Sequence, residues 1–322
     1  MASDRPIFIA TRGSALALVQ ANLMLAACRA AFPALVFELK IIKTTGDKLQ
    51  AASMTKVGET LPKGLFTKEL EVALLAGEAD LAVHSLKDLP TDLPAGLTLA
   101  ATPERADVRD VLIYRRAGSA ARGLMPHAQL GDFPAGATIA TSSTRRKMQL
   151  LAARPDFNIV EIRGNVSTRL VKVAQQADLD ATVLALAGLT RLNFQLNPDG
   201  TISGEAVPDG LLATVLDLDA MLPCVGQGAI GIEIRENDPR IEQICERLNH
   251  PATFDCVTAE RAFLQAMGGG CLSPVAAHAV ISGNDISMRA VSFHDETEKR
   301  SEGKMPVARA AALGRELAAK LK

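Results

Sequence analysis

Four times along this chain a short apolar run gives way to Ser or Thr with Arg, and then to a helical pattern. The segments are Thr11-Arg12-Gly13-Ser14, Thr141-Ser142-Ser143-Thr144-Arg145-Arg146, Arg163-Gly164-Asn165 with Thr168-Arg169 beyond it, and Ala187-Gly188-Leu189-Thr190-Arg191. Strands read at 7–10, 138–140, 159–162 and 182–185 precede them. Short strands alternating with helices specify parallel sheets covered by helices, the α/β class. In such sheets the turns at the carboxyl ends of the strands form the ligand crevice. Helix N-termini offer unpaired N–H groups and a partial positive charge, and their first turn favours Asp or Glu. Arginine there makes sense when an anion sits between the amides and the guanidinium forks. One such arginine reads equally well as a solvated surface charge. Four of one design point to a crevice for a ligand with several carboxylates or phosphates.

The pattern organises the chain into units. Strand, helix, strand, helix and strand are expected at 7–10, 14–31, 36–42, from 67, and at 81–83. A second set begins near Asp110 and runs to about 191. Residues 192–223 scatter Gly, Pro and Asp and read as a long surface connection. Another strand is expected at 228–234. After Asn237 come two helical patterns, a glycine-rich turn, two strands within 275–292 and a final Ala/Leu-rich helix, which read as a smaller α+β domain. At 322 residues the chain is long enough for two or three such units.

Composition excludes several partners. With 35 basic and 36 acidic side chains the chain has no net field to hold nucleic acid or an anionic membrane. No apolar run is long enough to span a bilayer. The beginning of the sequence has no secretion-signal pattern. Trp is absent and Tyr occurs once, so base stacking is poorly supplied. The five cysteines include no Cys-x-x-Cys pair, which argues against a disulfide framework or zinc ribbon and fits a reducing cytoplasm. No phosphate loop of the GxxxxGK[ST] kind is present. His84 has no second ligand at metal-binding spacing, so no metal is expected.

Two further stretches bear chemistry. His84-Ser85-Leu86-Lys87-Asp88-Leu89-Pro90 leaves an apolar strand directly, which aims Asp88 into the crevice. A carboxylate among so many cations stays ionised and can stabilise a cation or move a proton. Alone, Asp88 reads as readily as a turn cap or a partner of Lys87. Gly268-Gly269-Gly270-Cys271 brings a thiol close to something bulky on a backbone free of side chains. Such a cysteine is available as a nucleophile or attachment point, although an idle thiol on a tight turn is the other reading.

Together ATRGSALAL, KGLFTKELE, DLAVHSLKDLP, ATSSTRR, RGNVSTRL, LALAGLTRL, VGQGAIGIE and GGGCLSP resemble the porphobilinogen deaminase family over most of the chain. The resemblance implies two periplasmic-binding-protein-like lobes plus a smaller α+β C-terminal domain. The first lobe would comprise residues 1–108 and 218–236, the second 109–217, and the third domain 237–322. It implies a dipyrromethane cofactor joined by a thioether to Cys271. Lys87, Asp88, Ser85, Ser143, Arg145, Arg146, Arg169 and Gly188 would surround that cofactor. Arg12, Ser14, Lys63, Phe66, Arg163, Arg191 and Gln227 would bind the substrate, porphobilinogen. Each pyrrole carries an acetate and a propionate, which matches the cations inferred above. Loss of ammonia leaves a resonance-stabilised cation, and Asp88 is the expected catalytic carboxylate. A monomeric cytoplasmic enzyme without metal, nucleic acid or membrane partner is implied. The sequence departs from the family pattern between Lys56 and Lys63, where extra residues interrupt the usual KVGGKGLF. A polyanion-binding protein or a phosphate-ester enzyme competes on the arginines alone. The first leaves Cys271 unexplained, and the second lacks a phosphate loop.

Overall fold

The computed structural model describes residues 5–46, 66–118, 122–270 and 273–322. The first lobe opens with β1 (Ile7–Arg12), α1 (Ala15–Ala31), β2 (Phe37–Ile42), α2 (Lys68–Leu75), β3 (Leu81–Ser85) and β4 (Leu97–Ala101). Its central parallel strands β1 and β3 are largely buried on both faces, so they read as continuous apolar runs. On one side α1 packs Ala21, Met24 and Cys28 against Ile7, Ile9, Phe37 and Val83. On the other, Leu70, Ala73 and Leu74 of α2 meet Ala10 and Ala82. Ser14 caps α1 by accepting from the Ala17 N–H, as its place before the apolar run predicts.

The chain then crosses to a second lobe: β5 (Asp110–Arg115), β6 (Thr138–Ala140), α3 (Thr144–Ala153), β7 (Asn158–Val160), α4 (Val166–Gln175), β8 (Ala181–Ala185) and α5 (Leu186–Arg191). A short hairpin, β9 (Gln195–Leu196) with β10 (Ile202–Ser203), leads to β11 (Leu211–Val215), and the chain returns to the first lobe as β12 (Ile230–Arg235). The sheet orders are β2-β1-β3-β12-β4 and β7-β6-β8-β5-β11. In each, four strands run in one direction and the single antiparallel strand lies between β3 and β4, or between β8 and β11. The lobes share one topology, two strands of which are exchanged by the crossing chain.

The reading of 192–223 as a surface connection is corrected here. β11 inserts Leu211, Leu212 and Ala213 into the second-lobe core against β5. Its apolar run is only five residues long and sits among Gly, Pro and Asp, so the flanking turn signals masked it.

Beyond β12, α6 (Pro239–Leu248) packs Ile241, Ile244 and Cys245 into the first-lobe core, so its packing groups it with that lobe. The third unit is α7 (Pro251–Ala266), the antiparallel meander β13 (Val275–Ser282), β14 (Asp285–Ser292) and β15 (Lys299–Pro306), and α8 (Ala310–Leu321). β15 was not expected, because its alternation is carried by charged residues on an edge strand. Helices α7 and α8 cross closely at Gly314, where any Cβ would stand 2.1 Å from the Ala259 carbonyl oxygen. Buried Glu260 of α7 joins the units: it accepts both guanidinium arms of Arg105, the Gly226 N–H and the Ala279 N–H.

Candidate active site

The strand β3 ends at Ser85 and tightens into a single 3-10 turn over Leu86–Asp88. Leu86 is buried and its N–H donates to the Ala229 carbonyl at 3.0 Å. Gly226 lies against it with φ +72°, where a Cβ would come within 3.1–3.2 Å of Leu86 and the Lys87 nitrogen. Only glycine allows this approach. With Leu86 turned inward, Lys87 and Asp88 face the space between the lobes. Arg261 of α7 donates to the carbonyls of Leu89 and Pro90, which pins the far end of the turn to the third unit.

Asp88 is a wall of two neighbouring cavities. The larger, of about 170 Å³, is lined by Lys87, Asp88, Ser143, Arg145, Arg146, Cys224 and Gln227, and is closed from the third unit by Leu264, Gly270, Ser273 and Val275. The smaller, of about 60 Å³, is lined by Arg12, Ser14, Gln20, Phe66, His84, Ser85 and Asp88. In it the Arg12 guanidinium lies over the Phe66 ring, 4.2 Å from its centroid, a cation–π contact. Gln20 of α1 accepts from Ser85 Oγ at 3.0 Å.

Arg145 and Arg146 begin α3, whose N-cap Ser143 accepts from the Arg146 N–H. They are only 4% and 6% exposed, and both donate to the fully buried Asp110 at the start of β5. Burial alone would push the Asp110 carboxyl up. The two guanidinium charges beside it outweigh burial and hold it well below the usual carboxylate range. One carboxylate faces two guanidiniums, so this corner keeps a net positive charge. The Nε–H groups of Arg145 and Arg146 have no hydrogen-bond partner among the described residues. Buried donors without acceptors, at the wall of a cavity with surplus positive charge, fit a ligand that brings carboxylates.

Arg169, Arg191, Gly188 and Arg163 lie outside the two cavities. Arg169 is half-buried and donates to the Gly164 carbonyl; burial, and then the charge of Arg146, lower its pKa. Arg191 donates to the Gly228 carbonyl at 2.7 Å, and burial lowers its pKa too. Neither has an acidic partner among the described residues. Gly188 lies on α5, beside Leu16 of the first lobe. Arg163 is exposed and paired with Glu161 at 3.2 Å. Cys271 and Lys63 lie outside the described residues, as does Lys56. Three residues of the site were missed in the sequence: Asp110, Gln20 and Cys224. His84, weighed as a metal ligand, instead pairs with buried Glu233 at 3.0 Å. Among the described residues, no helix is long and apolar enough to cross a membrane.

Two lobes of one topology, a carboxylate on one face and surplus cations opposite, define a protein that handles a small ligand with several negative charges. Residues 7–243 match the family model "Porphobilinogen deaminase, dipyromethane cofactor binding domain", and residues 254–322 match "Porphobilinogen deaminase, C-terminal domain". A porphobilinogen deaminase of Syntrophomonas wolfei is 43% identical over 298 residues, covering 92% of this chain and 88% of that protein. That of Moorella thermoacetica is 42% identical over 317 residues, 98% of this chain and 92% of its own length. That of Pelobacter propionicus is 41% identical over 319 residues, 98% and 94% of the two chains. The chain belongs to the porphobilinogen deaminase family. Among solved structures, the BenM effector-binding domain with its effector benzoate aligns at TM-score 0.41 and 18% identity, over 76% of this chain and 90% of that one. At that distance it adds nothing to the assignment.

Proposed function

We propose that this chain deaminates porphobilinogen and joins four molecules head to tail, releasing linear hydroxymethylbilane. The larger cavity is assigned to the dipyrromethane cofactor and the smaller to incoming substrate. The observation that carries this reading is the place of Asp88, a shared wall of both cavities with cations on either side.

The bound dipyrromethane would supply an electron-rich pyrrole carbon at which the chain grows. Lys87, Ser143, Arg145 and Arg146 would hold its carboxylates, with Ser85, Arg169 and Gly188 alongside, and Cys271 would carry it through a thioether. On the substrate side, Arg12 and Ser14 would take the acetate and propionate, with the Phe66 ring holding the Arg12 guanidinium in place. Departure of ammonia leaves positive charge on the pyrrole ring. The Asp88 carboxylate is placed to accept the ring N–H and to stabilise that charge as it develops, the kind of preorganised electrostatic help that contributes most to catalysis. The same oxygens can take the proton lost when the new bond forms. Gln227 and Arg191 lie where the chain crosses between lobes, and would meet a lengthening product together with Arg163 and Lys63. A monomer working in the cytoplasm, without metal or nucleic acid, completes the proposal.

Intact mass of the denatured protein tests it, beside a Cys271→Ala variant. The wild type should weigh more by two linked pyrrole units and the variant should not. Incubation with porphobilinogen should release ammonia and a product that oxidises to uroporphyrin. No turnover by protein that carries the adduct would overturn the enzyme reading in favour of a binding protein.

A further inference from the structure

Behind the arginines stands a buried carboxylate that the scheme above does not use. Asp110 is the first residue of the second-lobe sheet and is completely buried. Its Oδ2 accepts from Arg145 Nη1 at 2.5 Å. Its Oδ1 accepts from Arg146 Nη2 at 2.6 Å and from Gln227 Nε2 at 3.0 Å. Two carbonyls complete the frame: Leu222 accepts from Arg145 Nη1 at 3.0 Å, and Val183 from Arg146 Nη1 at 2.7 Å. Each guanidinium is therefore held at its outer nitrogens while its Nε–H has no acceptor among the described residues.

We propose that Asp110 is the positioning residue of the anion site. It fixes both guanidinium forks and ties them to Gln227, on the segment by which the chain returns to the first lobe. The inference rests on the assignment of the larger cavity to a carboxylate-bearing pyrrole. Its physical content is a matter of sign. By charge alone, Asp110 opposes any anion in the cavity, so removing it should tighten binding. By orientation, its removal leaves two like charges in adjacent positions on one helix turn, each held by a single backbone carbonyl and no longer tied to the other. Binding should then weaken, because a charge-assisted hydrogen bond depends on direction as well as on charge.

Asp110→Asn keeps the shape and removes the charge, which separates the two. The full chain is produced in a host that makes no porphobilinogen, then titrated with porphobilinogen, and the fraction bearing the two-pyrrole adduct is read by intact mass. Relative to wild type, the variant should need roughly ten- to hundredfold more porphobilinogen for half-loading, the scale of a lost hydrogen bond to a charged group. Half-loading at the same or a lower concentration would overturn the positioning role while leaving the proposed function standing. Failure of the wild type to take up any adduct would instead sink the functional reading itself. Should Asp110→Asn fail to fold, Arg146→Gln is compared with Asp110→Asn/Arg146→Gln, which leaves one uncompensated buried charge rather than two. The double variant should load less readily than the single one, and equal loading would overturn the proposal.

Discussion

The two lobes share a sheet topology and differ in what they bury behind it. In each, the antiparallel strand contributed by the crossing chain carries a fully buried carboxylate: Glu233 on β12 and Asp110 on β5. Glu233 meets His84, with Glu71 of α2 close by, so two acid groups share one imidazole. Asp110 meets Arg145 and Arg146, so cations outnumber the acid. The cleft shows the same division, with Asp88 presented by the first lobe and buried arginines by the second. Topology supplies matching places at the strand ends, and the side chains there decide the chemistry.

The sharpest way to break the comparison is to remove the first lobe's carboxylate charge at the cleft. Asp88→Asn keeps size and hydrogen bonding but loses the charge, and should lower kcat by roughly 10²- to 10³-fold with an unchanged melting curve. Steady-state turnover of adduct-bearing protein measures it, and a near-normal rate would remove Asp88 from the chemistry. On the other lobe, Arg146→Leu leaves Asp110 with Arg145 and Gln227 alone. Breaking one arm of a buried ion pair should cost about 2–3 kcal/mol in denaturant unfolding, toward the low end for such pairs because Arg145 remains. An unchanged midpoint would mean that Arg145 alone satisfies Asp110.

What could be read from the sequence was local. Ser14 and Ser143 announce their helices, because a cap sits next to the run it caps. The 84–90 turn follows from an apolar strand ending in Ser, and the arginines stand out for opposing the usual first-turn preference. Asp110 was not legible as a site residue: beside Val111–Tyr114 it reads as a strand boundary, and its partners lie 35, 36 and 117 residues away. Gln20 hid inside an apolar helix, where a single polar residue on the buried face is easily passed over. Arg163 shows a different limit. Its motif places it at the cleft edge, and the motif does not reveal that Glu161, two residues earlier, pairs with it at the surface. That Asp88 walls two cavities required the third unit to be in place.

The smallest expected effect tests the acid-rich side directly. Burial pushes the Glu71 carboxyl up from its ordinary 4.5, and the charge of Glu233 reinforces the shift. The folded state therefore holds that proton more tightly than the unfolded chain. Stability from Glu71 is present below about pH 4.5 and is lost as pH rises through the raised value. Asp110 runs the other way: its pKa is lowered, so its contribution is present above about 3.8 and is lost as pH falls. Glu71→Gln removes the loss on the alkaline side without touching Asp110. At pH 8 the variant should melt roughly 2–4 °C above wild type. At pH 4.5 the two curves should approach each other. A gap of one size at both pH values would show that Glu71 does not change its protonation between them, and the contrast between the lobes would then rest on Asp110 alone.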